Sequence, residues 1–153
     1  ILGLDKLAEQ VADYVNKTFP PNQPLDLIGF SMGGIVSRYY VQRLGGIDKV
    51  ENFITISAPH NGTLTGYALN LAAPIQMRPK SNFLENLNQD IALLDKTNFT
   101  SIWTPYDAMI LPPQSSQVPV GRDIKIDVFF HPWMVSDEKV LKVIVEVLKG
   151  EYR

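Results

Sequence analysis

The chain has 153 residues, a length suited to one domain with its own hydrophobic core. Lys and Arg number 14 and Asp and Glu 16, so the formal net charge is −2 and there is no basic surplus to draw nucleic acid or an anionic membrane. Zero cysteines exclude disulfides, thiolate nucleophiles and thiolate metal sites, and no apolar run is long enough to form a transmembrane helix.

The sequence opens at Ile1 almost directly into a helical pattern, which reads as a cut edge with an upstream segment missing, a processed start being the alternative. Leu4, Leu7, Ala8, Val11, Ala12 and Val15 fall on one helical stripe, which Pro20-Pro21 must end. Leu25 to Phe30 is a short apolar run after a Pro/Asn/Gln turn, a buried strand. Gly33 to Leu44 reads as a helix through Ile35, Val36, Tyr39 and Tyr40, closed by a left-handed cap at Gly45-Gly46. Val50 to Ser57 is the second strand, followed by a loop over 58–62. Residues 63–80 are weakly patterned and hold two prolines; they read as an irregular insertion with a short helix, and as a possible lid. Asn82 and Glu85 form an apparent capping box for a helix running through Leu84, Leu87, Ile91 and Leu94. Phe99 to Trp103 and Ile124 to Phe130 are the third and fourth strands, separated by a loop around Pro112-Pro113. Ser136 is placed to cap a last helix, with Asp137 and Glu138 in its first turn and Val140, Ile144, Val147 and Leu148 toward the core. Strands alternating with helices indicate an α/β domain, a mainly parallel sheet with helices on both faces, and nothing over 1–153 reads as a domain linker.

The sharpest local signal is Gly29-Phe30-Ser31-Met32-Gly33, followed by Gly34. It fits G-x-S-x-G with a strand before and a helix after, the context in which a serine sits on a strained strand-to-helix turn. A side chain at 29 or 33 is expected to collide with nearby backbone, hence glycine at both. The turn sets the serine at a helix N-terminus, where free N–H groups favour negative charge, and the Met32 amide becomes one donor to an oxyanion. A chance match in a loop is the bland alternative.

A serine hydroxyl needs a base, and the only histidines are His60 and His131. His131 directly follows the last strand, at the carboxyl edge where wound sheets carry their chemistry, and it comes late enough for the order Ser, acid, His. His60 has no acid strand before it and reads as structural, holding its loop by hydrogen bonds, or as lining the site without taking a proton. For the orienting acid Asp107 stands on the loop leaving the third strand, whereas Asp95 precedes that strand and Asp123 and Asp127 flank or enter the fourth. A turn-forming role for Asp107 is the alternative.

At these residues the chain resembles the lipase and esterase branch of the α/β-hydrolases, bacterial triacylglycerol lipases among them. The resemblance rests on Ile28 to Gly34 with Arg38-Tyr39-Tyr40, on Ser57-Ala58-Pro59-His60-Asn61-Gly62-Thr63, on Ser81-Asn82-Phe83-Leu84 to Leu87-Asn88, on Thr104-Pro105-Tyr106-Asp107, and on His131. It implies the C-terminal half of an α/β-hydrolase fold, a triad of Ser31, Asp107 and His131, and Met32 as one backbone oxyanion donor. That family takes a second donor from a loop after an earlier strand, and nothing N-terminal to Ser31 matches that loop. Weak or no activity is therefore expected of these 153 residues alone. The implied reaction is cleavage of carboxylic esters, acylglycerol and other lipid esters, through an acyl-enzyme. Acyl transfer to an alcohol by the same residues, or a non-catalytic binding domain, are the rivals. A small-molecule or lipid ester is the expected partner. Nucleic acid, metal and cofactor are not, since two distant histidines without cysteine make no zinc spacing. Leu64, Met77, Met109, Ile110, Leu111, Trp133 and Met134 are candidate pocket walls, with core packing the alternative for several.

Overall fold

The computed structural model describes residues 2–152. Five α-helices and four strands follow one another as α1 (Leu4–Thr18), β1 (Leu25–Phe30), α2 (Met32–Arg43), β2 (Val50–Ile56), α3 (Ala72–Gln76), α4 (Asn82–Gln89), β3 (Asn98–Trp103), β4 (Arg122–Lys125) and α5 (Glu138–Leu148), with short 3-10 turns between them. The strands form one sheet in the order β1-β2-β3-β4, every neighbouring pair parallel. A parallel sheet in chain order needs each connection to cross the same face, and α2, then α3 and α4, do so.

Alternation along the strands divides the apolar residues into two cores. Phe53 and Phe99 face α1, α2 and α4, in a core that includes Leu4, Ala8, Ile35, Tyr40, Leu84 and Leu87. Ile54, Ile56, Ile102 and Ile124 face the other way, against Val140, Ile144 and Val147 of α5. Helix α2 is buried nearly all round because it lies between the sheet and its neighbouring helices, which explains why Ser37, Arg38 and Gln42 are enclosed beside Ile35 and Val41. Helix α1 presents Leu4, Ala8 and Val15 inward, and the free amide of Leu4 donates to Gln76 Oε1 at 2.6 Å, tying the first turn to α3.

Four local expectations need correction. The cap of α4 is Ser81, one residue before the expected Asn82; its Oγ accepts the Leu84 N–H at 3.1 Å and donates to Gln76 O at 2.6 Å, so its hydroxyl serves both helices that it joins. That helix also ends at Gln89, because Asp90 leaves helical geometry with its carboxylate held by Arg43 and Gln42, and residues Ile91–Lys96 continue as a 3-10 turn. Helix α5 is capped by Asp137 rather than Ser136, Asp137 Oδ1 accepting the Lys139 N–H at 2.8 Å. The fourth strand is Arg122–Lys125, not 124–130. Ile126 N–H still reaches Trp103 O at 2.9 Å, but β3 ends at Trp103, and the next pairing is made by a side chain: Thr104 Oγ1 donates to Val128 O at 2.7 Å and accepts the Val128 N–H at 3.2 Å. Residues 124–128 therefore keep a strand's alternation of burial without a strand's ladder.

The β3–β4 crossover, residues 104–121, carries one 3-10 turn, Pro113–Ser116. It packs Val118 and Val120 onto the α1/α2 core, and Ser101 Oγ of β3 donates to Ser116 O at 2.7 Å. Four prolines, Pro105, Pro112, Pro113 and Pro119, remove backbone donors that a helix there would need.

The two faces are unequally covered at β1. Ile28 and Ile54 are register partners, yet Ile54 is fully buried beneath α5 while Ile28 is 44% exposed. Ile54→Ala should therefore cost about 2–5 kcal/mol of unfolding free energy and Ile28→Ala less than about 1 kcal/mol, as read by urea denaturation. Equal costs would mean that the β1 face is covered.

Candidate active site

Ser31 joins β1 to α2 with φ 54° and ψ −123°, outside the region that L-residues ordinarily occupy. Its own N–H donates to Ile56 O at 2.8 Å, which fastens the bend to β2, and Gly34 N–H closes the first turn onto Ser31 O at 3.0 Å. Ser57 repeats the arrangement one strand along: φ is 49°, and its N–H donates to Ile102 O at 2.8 Å. Each strand thus hands its last hydrogen bond to the next, and the chain turns sharply at two adjacent points of the carboxyl edge.

The glycines act differently from the sequence expectation. A Cβ on Gly29 would lie 2.7 Å from Gly33 O and 2.7 Å from the Gly34 Cα, a backbone clash that nothing flexible relieves. At Gly33 a Cβ would meet nothing within 4 Å. The expected collision there is absent because Gly33 faces an open, largely apolar groove along the outer edge of β1, lined also by Leu7, Val11, Tyr14 and Ile28. The crowded partner is Gly34, whose Cβ would stand 2.5 Å from that of Ala58, since α2 lies directly on the residue leaving β2.

Asp107 and His131 come to Ser31 from two further loops. His131 Nε2 lies 3.1 Å from Ser31 Oγ, and His131 Nδ1 lies 2.8 Å from Asp107 Oδ2. With the carboxylate as acceptor at Nδ1, that nitrogen carries the proton and Nε2 is left free to accept from the serine hydroxyl. The imidazole and carboxyl are both buried, whereas Ser31 is half-buried at the surface end of the chain of bonds. Asp107 Oδ1 accepts the N–H groups of Met109 and Ile110, each at 2.9 Å. Burial works against a charge on Asp107, but the bond from His131 and these two N–H groups outweigh it and hold the carboxyl below its usual range. The other aspartates stand elsewhere: Asp95 accepts the Gly121 N–H at the amino end of β4, Asp123 accepts from Trp103 Nε1, and Asp127 is exposed. Met32 is the first residue of α2, so its N–H belongs to the first turn, where amides have no partner within the helix.

Thr104 links the two loops. Its hydroxyl bonds both main-chain groups of Val128, and Asp107 and His131 each follow one of these two anchor residues. Phe30 packs against the imidazole with ring centres 4.8 Å apart, while Tyr106 and Phe129, 4.6 Å apart, and Trp133 leave large apolar faces open around the same loops. Phe129 and Phe130 were hidden in sequence by an alternation that reads as strand. Of the candidate pocket walls, Leu64, Met109 and Trp133 are more than half exposed, but Ile110 is buried, Met134 lies wholly within the α5 core, and Met77 packs against the α1/α2 core.

His60 lies apart from this chain of bonds, fully buried beneath α2. Arg38 Nη1 lies 3.3 Å from its Nδ1 and Thr55 Oγ1 lies 2.9 Å from its Nε2. Arginine only donates, so Nδ1 accepts and the imidazole is neutral with its proton on Nε2. Arg38 is itself enclosed, held by Gln42 Oε1 at 3.0 Å, Asn88 Oδ1 at 2.8 Å and Leu87 O at 3.4 Å, with no carboxylate among these partners. Burial lowers its pKa from 12.5 to about 9, a fall that Asp90 opposes and Arg43 deepens, and it remains charged at neutral pH. Burial, then the Arg38 charge, pushes the His60 pKa well below 6.5.

A family model described as palmitoyl protein thioesterase matches residues 3–77, from α1 through the Ser31 bend to the end of α3. A Bacillus licheniformis lipase in mature form superposes with a TM-score of 0.82 at 12% identity, over 95% of this chain and 74% of that one. Aspergillus fumigatus lipase B gives 0.76 at 16% identity, over 96% of this chain but only 42% of its own length. An alpha/beta hydrolase enzyme from the metagenome of sediments of the Mar Chica lagoon gives 0.68 at 17%, over 97% and 70%. The fold is that of the α/β-hydrolases. The four strands make up part of the sheet seen in such proteins, and at these identities the likeness is one of fold.

Two outcomes follow from this geometry. Gly34→Ala should destabilise the chain by about 1–3 kcal/mol, whereas Gly33→Ala should leave it unchanged or raise stability by up to about 1 kcal/mol in urea titrations. Because folded His60 resists protonation while the unfolded imidazole takes a proton below pH 6.5, unfolding free energy should fall by up to about 1.4 kcal/mol per pH unit as pH drops from 6.5 toward 5. His60→Gln should remove that slope; a slope that survives would place its origin elsewhere.

Proposed function

We propose that this chain carries the catalytic centre of a serine hydrolase that cleaves carboxylic esters of lipid type through an acyl-enzyme. One observation carries the reading: Ser31 Oγ, His131 Nε2, His131 Nδ1 and Asp107 Oδ2 lie in a continuous run of hydrogen-bond contacts of 3.1 and 2.8 Å. In this reading Ser31 Oγ attacks the acyl carbon while His131 Nε2 takes its proton, and Asp107 stabilises the imidazolium. The tetrahedral oxyanion receives the Met32 N–H at the start of α2. The C–O bond to the leaving group breaks as His131 returns the proton to the departing alkoxide. Water then adds to the acyl-serine by the same route and releases the carboxylic acid and free Ser31.

The lipid preference is supported by the apolar side chains around these loops: Leu64, Tyr106, Met109, Phe129 and Trp133 are all at least half exposed. The two lipases among the similar structures agree with it. A thioester is a second acyl donor for the same machinery, favoured by the palmitoyl protein thioesterase match over residues 3–77; the leaving thiolate takes the proton in place of the alkoxide.

A fluorophosphonate probe reports Ser31 independently of substrate choice. The wild-type protein should label at Ser31, and Ser31→Ala should lose the label and at least about 10³-fold of any ester turnover. Labelling that survives Ser31→Ala, or none in a folded wild-type protein, would refute the assignment. Parallel assays on nitrophenyl palmitate and a palmitoyl thioester decide between the two acyl donors.

A further inference from the structure

The segment Ala58-Pro59-His60-Asn61-Gly62-Thr63 stands out in the sequence, yet none of its side chains touches Ser31 or His131 through a hydrogen bond. Its bonds run in another direction, to the loop that carries Asp107. Thr63 is 3% exposed. Its Oγ1 accepts the Leu111 N–H at 2.9 Å and donates to Met109 O at 2.9 Å. Leu64 N–H adds a main-chain bond to Leu111 O at 2.9 Å. Met109 is thus gripped at both ends: its carbonyl by Thr63, its N–H by the Asp107 carboxylate at 2.9 Å.

The two bonds from Met109 and Ile110 set the carboxylate within its own turn, but they cannot set that turn against the rest of the fold. Thr63 does so on one side. Its own loop is in turn rooted in the interior, where His60 O accepts from Asn88 Nδ2 at 3.1 Å and the His60 ring sits between Arg38 and Thr55. Gly62, at φ 90°, approaches Pro79 so closely that a Cβ would lie 2.5 Å from its backbone, so the loop cannot yield outward.

We infer that Thr63 is a positioning residue for the acid: its buried hydroxyl fixes the Met109–Leu111 turn, and through it the Asp107 carboxylate against His131. This rests on the serine-hydrolase reading above. Removing the hydroxyl leaves the part-buried Leu111 N–H without this acceptor, while Met109 O retains Thr65 Oγ1 at 2.8 Å. Thr65 therefore serves as the internal control.

Thr63→Val, Thr63→Ser and Thr65→Val separate the roles. Thr63→Val should lower kcat on a nitrophenyl ester about 10- to 100-fold with KM unmoved, the scale expected when a reacting group is displaced by a fraction of an ångström to an ångström. It should also broaden or shift upfield the low-field proton resonance of His131 Nδ1, recorded without substrate. Thr63→Ser and Thr65→Val should keep both the rate and the resonance. If valine at 63 does not fold, Thr63→Ala carries the same expectation. A folded Thr63→Val with the wild-type resonance, or a Thr63→Ser as deficient as valine, overturns the inference. Absence of fluorophosphonate labelling at Ser31 in the folded wild-type protein would count against the hydrolase reading instead, and the resonance would still decide the role of Thr63.

Discussion

A single residue held in left-handed backbone geometry organises the carboxyl edge of this sheet. At Ser31 the chain must leave a parallel strand and enter a helix without a spacer, and the conformation that permits this is unfavourable for any residue with a side chain. The surroundings hold it there. Ile56 O receives the serine amide, Gly29 admits the returning helix backbone, and Gly34 admits Ala58 from the next strand's end. Because α2 is pressed this closely on β2, Arg38, Gln42 and His60 are enclosed there, and Arg38 bonds both of the others.

The Arg38 cluster is the outcome of that enclosure. A guanidinium sealed under a helix without a bonded carboxylate is costly, and its partners are amide oxygens, a carbonyl and a neutral imidazole that can only accept from it. The arrangement joins α2, the loop after β2 and α4 around one charge. It also distinguishes the two histidines: the one facing an arginine is kept uncharged, while the other bonds a carboxylate.

Much of this could be read from residue order. The strand-to-helix context of Ser31, the late position of His131 and the loop position of Asp107 rest on patterns short enough to survive without tertiary knowledge, and the structure places the three side chains within hydrogen-bond reach. What escaped was set by contacts between distant segments. The end of β4 was misplaced because Thr104 pairs with Val128 where a strand would have, leaving alternation intact while the ladder stops. Ser81 displaced Asn82 as the cap because Gln76 O lies in reach of its hydroxyl. Gly33 was misjudged because a spacing argument cannot tell which of two neighbouring glycines faces Ala58 and which faces an open groove. The roles of Arg38 and Thr63 leave little local trace, since the partners that tie them to other segments, His60, Asn88 and Leu111, come from 22 to 50 residues away.

The hydroxyl of Thr104 has a mechanical consequence. The carboxylate and the imidazole hang at equal distances along the chain from one shared pin, so thermal displacement of either loop drags the other with it. Their mutual spacing is thereby the stiff coordinate. The soft coordinate is the gap from that paired unit to the bend at residue 31, which belongs to a different strand and moves with a different helix. Fluctuations of this molecule should open and close the outermost bond of the series while leaving the inner one intact.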